Sequence, residues 1–529
     1  MGRLTGTHAT SYKCCVRLVL AVLPLFLPNP SSTVGARLSP PMALAQQASS
    51  ARGGVTALRA QGEAAMEASR FGDAEATYEK LVALTPNDAL AHMQLGMARA
   101  MGGRTAEAIA PLRAALRLRP DLMPAKLFLG ISYMEVGRPR EAVAPLRQVV
   151  QADPSNVNAR QALAEALLSL EEFDEASRQL ATLAKSQPDS PQLWAALGRS
   201  YEGMARAAFA SLQKIDPDSP YIWLLAADVL TIEEKFPQAF SLIKKAQTAL
   251  PTLPGVHHTL ARVYVASGHA DWAAVEQQKA DAEKPACTQV PVACLYLSGK
   301  LEDTVSRTST ATQAAGLYWR ARAANDLAGR AFETLEKLPP SVERFVMRAG
   351  IARDQGNALE AVTQLREALK LAPGDPGLER ELAGALHAAR DFEAALPLLE
   401  KLQQMAPDAP DLLVALGDTL FQSQQVDRAI PLLTRAVTLD PSRLDAHATL
   451  GRALMQAGDA ARAVPHLEKA LAIDQDGSLH YQLAQAMQRT GQPARAKLLL
   501  AEYQKRSQAA APAAATTPAD AATITPPVP

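Results

Sequence analysis

The sequence predicts an all-α chain, an α-solenoid of about 12 antiparallel helix pairs arranged in two lobes. Three observations carry that prediction. A proline recurs every 34 residues, at Pro86, Pro120, Pro154 and Pro188, then at Pro217, Pro251 and Pro285, then at Pro373, Pro407 and Pro441. Ahead of each proline stands the same skeleton: Leu with Gly or Ala in a first helix, then Ala, a large apolar residue and a further Ala, Leu or Val in a second. The 529 residues are 48% hydrophobic but only 5% aromatic, which suits many small stacked units better than one large core.

The elements follow in order. Residues 1–45 read as an export signal: Arg3, Lys13 and Arg17 precede the apolar run Leu18–Leu27, and small residues at Ala43-Leu44-Ala45 or Val34-Gly35-Ala36 offer cleavage near Ala45 or Ala36. The run is about half the ~20 residues needed to span a bilayer, so no integral span is expected in the mature chain. Cys14 and Cys15 precede it, which does not fit a lipobox.

Residues 55–285 form the first array. In the unit 89–122, Leu95 and Gly96 sit in the first helix, Gly103 allows the turn, and Ala108, Leu112 and Ala115 share one face of the second helix. The unit 123–156 repeats this with Leu129, Gly130, Tyr133, Gly137, Ala142, Leu146 and Val149, and the unit 444–477 with Leu450, Gly451, Gly458, Ala463, Leu467 and Ala470. Two units break the period. Pro188 to Pro217 is 29 residues, and both 191–219 and 314–341 carry an A-x-x-A-F-x-x-L core (Ala205, Ala208, Phe209, Leu212; Ala328, Ala331, Phe332, Leu335) with no normal turn before it. A shortened or fused helix pair is expected at both, with a change of stacking direction. Residues 286–313 lose the pattern and are expected to be an irregular connector with a short helical pair at 292–308. The second array spans 314–507, and the Ala/Pro/Thr tail 508–529 is expected to be disordered.

Proline also recurs three residues after the signature alanine, at Pro111, Pro145, Pro397, Pro431 and Pro465. A proline inside a helix normally costs ~3 kcal/mol. Recurrence in phase implies a site that tolerates it through a slight bend of the outer helix.

From about residue 55 to 507 the chain resembles the tetratricopeptide-repeat family: 34 residues, a small residue at position eight, Ala at twenty, Pro at thirty-two, and Trp194 and Trp223 at position four. The resemblance implies a right-handed superhelix in which each unit touches its neighbours, with positions five, nine, twelve and thirteen of each first helix facing a binding groove. Those positions include Met93, Met97, Ala100 and Met101, then Leu127, Ile131, Met134 and Glu135, with Glu165, Arg199, Asp228, Arg262 and Arg452 further on. The expected partner-binding residues are therefore Met93, Met97, Met101, Leu127, Ile131 and Met134, a soft apolar strip suited to an amphipathic helix or extended peptide. Core packing or a self-dimer contact is the competing use of the same strip. Some relatives clamp a partner's C-terminal carboxylate with Lys and Asn; here position five holds Arg59, Met93 and Leu127, so that mode is not expected.

Charge and motifs narrow the function classes. Lys+Arg and Asp+Glu both number 54, and nothing concentrates base on one face as nucleic-acid binding requires. There is no Walker loop, H-E-x-x-H, C-x-x-C or G-x-S-x-G, so no cofactor and no catalytic residue is expected. His257, His258, His269 and Asp271 are not spaced to put three ligands on one face, and Asp474-Gln475-Asp476-Gly477 reads as a turn, so no metal is expected. Cys287 and Cys294 would lie ~10.5 Å apart along a helix, so a disulfide between them needs the chain to turn, which Pro291 permits. The reading is an exported, non-catalytic interaction scaffold of bacterial type, periplasmic or secreted, with a protein or peptide partner. The alternatives are an envelope assembly or secretion accessory factor, or an enzyme with its site in 286–313.

Overall fold

The computed structural model describes residues 42–283, 285–510 and 524–527. The expected export signal lies outside the described residues except for 42–45, which open the first helix. The described residues form 26 α-helices: α1 Met42–Glu67, α2 Phe71–Leu84, α3 Ala89–Met101, α4 Thr105–Leu118, α5 Met123–Glu135, α6 Pro139–Ala152, α7 Val157–Ser169, α8 Phe173–Ser186, α9 Pro191–Ile215, α10 Pro220–Ile232, α11 Phe236–Ala249, α12 Val256–Ala266, α13 Ala270–Ala282, α14 Pro291–Leu297, α15 Leu301–Arg307, α16 Ala314–Lys337, α17 Val342–Asp354, α18 Ala358–Leu371, α19 Pro376–Ala388, α20 Phe392–Met405, α21 Pro410–Gln422, α22 Val426–Leu439, α23 Leu444–Gln456, α24 Ala460–Ala470, α25 Ser478–Arg489 and α26 Pro493–Ala510. No described helix is long and apolar enough to cross a membrane.

The 34-residue frame explains the helix ends. Each recurrent proline falls just after a helix has ended, where its missing N–H costs nothing. Some first helices then open on side-chain caps: the Asp88 carboxylate accepts from the N–H groups of Leu90 and Ala91, and that of Asp375 from Gly377 and Leu378, each worth roughly 0.5–2 kcal/mol. Between the two helices of a pair, position fifteen turns left-handed. Gly103 and Gly137 take it with φ of 81° and 72°; Glu171, Arg390 and Gln424 take it without that freedom, at 60–63°.

Within a pair, position eight meets position twenty-four. A Cβ added at Gly96 would lie 2.5 Å from Leu112 Cγ, so only glycine lets α3 approach α4 this closely. Ala108 and Ala142, at position twenty, and Leu112 and Leu146, at twenty-four, are fully buried. The five in-helix prolines are accommodated in α4, α6, α20, α22 and α24. At Pro111 the carbonyl freed four residues back, that of Glu107, accepts from an Arg99 guanidinium N–H at 3.3 Å.

The two short units are each one continuous helix, α9 and α16. Five residues are missing where the turn should be, and Ala205 and Ala328 carry the helix straight through position fifteen. Neither helix has a second helix of its own to fold back on. They pack against each other instead, more extensively than any other two helices. Gly198 of α9 holds position eight, and its counterpart is Phe332 of α16, whose ring Cε1 is 2.3 Å from where a Cβ would sit. Arg320 of α16, buried, donates to Asp174 of α8 at 2.6 Å and to the Val305 carbonyl of α15 at 3.0 Å.

That pairing redraws the expected lobes. The chain divides into one compact unit of residues up to Ile215 with Ser298–Lys337, and another of Asp216–Leu297 with the residues from Leu338 onward. The expected lobes, 55–285 and 314–507, followed chain continuity; α16 falls in the same unit as α9, against which it packs. The short helical pair expected at 292–308 within the segment 286–313 is present. It consists of the short helices α14 and α15, which fall in different units.

Only part of the tail 508–529 is among the described residues. Residues 508–510 complete α26, consistent with alanine being the best helix former. Residues 511–523 lie outside the described residues, and 524–527 have no regular secondary structure.

Candidate interaction surfaces

First helices of successive pairs are neighbours, α3 with α5 and α5 with α7. Met93, Met97 and Met101 on α3 and Leu127, Ile131 and Met134 on α5 are all half-buried, seated on the core cluster that holds Leu112, Leu129 and Leu146. The structure thus brings all six together on one row of helices, with one side of each packed inward and one side accessible. Polar groups border the strip. Arg59 donates to Asp88 at 2.5 Å, and the Thr105 hydroxyl to Glu135 at 2.5 Å. Buried Glu75 is held by Arg99 at 2.8 Å and Arg104 at 2.7 Å.

The second unit carries a polar counterpart that the sequence reading missed. His387 hydrogen-bonds the Asp418 carboxylate at 2.8 Å, and Asp418 accepts from the Thr449 hydroxyl at 3.1 Å, which in turn accepts from Arg452 at 3.1 Å. Burial opposes charge on Asp418, but the bonds from His387 and Thr449 and the nearby Arg452 guanidinium hold its carboxyl below the usual range. His387, Asp418 and Thr449 are spaced by 31 residues, three short of the period, so each stands one helical turn back from its predecessor in the next unit. That spacing was the available signal. Asp228 and Arg262, a full period apart, form an ion pair at 3.6 Å.

The remaining sequence candidates are placed as follows. Cys287 and Cys294 are joined by a disulfide with Cα atoms 5.7 Å apart; residues 287–289 form a turn and Cys294 sits in the first turn of α14. His257 reaches Glu276 at 2.5 Å, while His269 contacts the Ser267 hydroxyl and stacks on Trp272. Asp474 accepts from the His480 backbone and ring, and Asp476 from the Ser478 N–H, which makes this segment the cap of α25.

Family models described as tetratricopeptide repeat match residues 59–122, 133–199, 386–433 and 420–479. Among solved structures, "MamA MSR-1 C2" is 23% identical over 32% of this chain and 98% of its own, with a TM-score of 0.29. "MamA 41-end from Desulfovibrio magneticus RS-1" is 19% identical over 32% of this chain and 97% of its own, also at 0.29. No curated protein matches the chain.

Proposed function

We propose that this chain, a member of the tetratricopeptide-repeat family, is a non-catalytic scaffold whose first unit binds an amphipathic helix or extended peptide on the α3–α5 strip. The observation that carries the reading is the row of six half-buried apolar side chains on two adjacent rigid helices. Methionine is unbranched and polarizable, so such a surface moulds to varied apolar anchors at little strain. The acidic and basic border at Arg59, Asp88, Thr105 and Glu135 would set register rather than affinity. Export to the periplasm or beyond is part of the proposal, supported by the basic and apolar N-terminal sequence and by the Cys287–Cys294 pairing.

The test is a peptide selected on the purified protein from an amphipathic-helix library. Met97→Glu with Ile131→Glu should weaken its binding at least tenfold, because two buried contacts become charged. Circular dichroism and the melting temperature should stay near wild type, since both residues keep one face in solvent. Undiminished binding would place the site elsewhere.

A further inference from the structure

Independent of that strip, Ile524–Pro527 meets the array on a different surface. The Tyr264 hydroxyl donates to the carbonyl of Thr525 at 2.7 Å, across 261 residues of sequence. Tyr264 is 1% exposed, on α12. Its ring is tilted on Phe240 of α11 at 5.9 Å and edge-on to Trp272 of α13 at 5.7 Å, with His269 stacked on Trp272 at 4.3 Å. Burial pushes the Tyr264 hydroxyl up to about 12, so it remains a donor. In the segment, Ile524 and Pro527 are half-buried while Thr525 and Pro526 are exposed.

The repeat frame supplies the comparison. Tyr133 holds the same position eleven in its unit, and there its hydroxyl accepts from Arg113 Nε at 2.6 Å, a residue at position twenty-five of the preceding unit. The residue at position twenty-five before Tyr264 is Lys244. Lys244 instead donates to Gln247 at 3.2 Å and lies over the Phe240 ring at 5.7 Å. Where Tyr133 takes a partner from the preceding repeat, Tyr264 takes the backbone carbonyl of Thr525. The sequence there reads Ile524-Thr525-Pro526-Pro527-Val528-Pro529. Prolines have no N–H and favour the extended polyproline conformation, which leaves carbonyls available and costs little entropy to dock on an aromatic surface with a hydroxyl donor.

We propose that the face formed by Phe240, Tyr264 and Trp272 is a binding site for extended proline-rich peptide, and that the chain's own Ile524–Pro527 segment is its resident occupant, held in cis. A tethered segment acts at an effective concentration of about 1 mM. For an intrinsic Kd on the order of 100 µM, it would weaken binding of a competing peptide about tenfold.

The experiment uses a fluorescein-labelled peptide of residues 520–529 and full-length protein, read by fluorescence anisotropy. The peptide should bind the tail variant Ile524→Ser/Pro526→Ser/Pro527→Ser about tenfold more tightly than it binds wild type. Adding Tyr264→Phe to that variant keeps the ring and removes the donor, and should weaken binding about fivefold. Equal binding to wild type and tail variant, binding to neither, or indifference to Tyr264→Phe would each overturn the proposal. So would a dimer, seen by light scattering of wild type and lost in the tail variant, because the tail would then act in trans.

Discussion

Gly198→Ala probes the pairing of α9 with α16 at its tightest point. The new Cβ would lie 2.3, 2.6 and 2.7 Å from Cε1, Cζ and Cδ1 of Phe332, where ordinary contact begins at 3.4 Å, so the ring must retreat by about 1.1 Å. A ring displaced that far leaves its rotamer or moves the backbone, which costs about 1–3 kcal/mol. Alanine recovers about 0.5–1 kcal/mol of helix propensity over glycine. The net loss should be about 1–2 kcal/mol. With Phe332→Ala the obstacle disappears, and the same Gly198→Ala change should stabilise by about 0.5–1 kcal/mol. The coupling between the two sites is then about 2 kcal/mol, although 134 residues separate them. Amide hydrogen exchange over residues 317–335 reads this locally, which matters because a repeat array need not unfold as one unit. Gly96→Ala is the control: its obstacle is Leu112, so Phe332→Ala should not rescue it. An equal cost for Gly198→Ala in both backgrounds would refute the exchange of partners between the short units.

Two further outcomes are expected. His447 and His466 face each other with Nδ1 atoms 2.7 Å apart, so one ring donates and the other accepts. Burial lowers both, with Lys469 adding to each, His447 and Arg462 to His466, and the Pro441 carbonyl opposing the shift at His447. A histidine lowered on folding contributes stability above its unfolded pKa of about 6.5 that is lost as pH falls below it. The urea midpoint should therefore drop between pH 7 and pH 5, and drop less in His466→Gln; a parallel decline in both proteins would exclude this pair as the cause. In the protein purified under oxidising conditions, iodoacetamide applied without reductant should label neither Cys287 nor Cys294, and Cys294→Ser should cost about 2.5 kcal/mol of local stability for so short a loop. Labelling of both thiols would end the assignment.

Much of the fold was legible because a period constrains neighbours. Pro120 marks where α4 has ended, and the Gly96–Leu112 approach repeats at Gly130–Leu146 and Gly451–Leu467 with the same spacing. The pairing of Gly198 with Phe332 was not legible, because a period is silent about contacts outside it. The duplicated A-x-x-A-F-x-x-L core showed that α9 and α16 were alike; only packing shows that they need each other. The family resemblance places Met93–Met134 on successive first helices, whereas the His387–Asp418–Thr449 ladder requires knowing that adjacent first helices are offset by about one turn. The Tyr264–Thr525 contact is not visible in composition because a carbonyl accepts a hydrogen bond whatever side chain its residue carries.

The union of α9 with α16 has a consequence for biosynthesis. A solenoid with only neighbour contacts can consolidate as it emerges, each pair closing on the last. Here α9 is finished at Ile215 but its counterpart ends at Lys337, 122 residues later. At ~5–20 residues per second the ribosome leaves the Gly198 face of α9 uncovered for about 6–24 s. During that interval the nascent chain exposes a surface that chaperones or a translocation apparatus could hold, and the closing of the first unit becomes a late, long-range step in an otherwise local folding reaction.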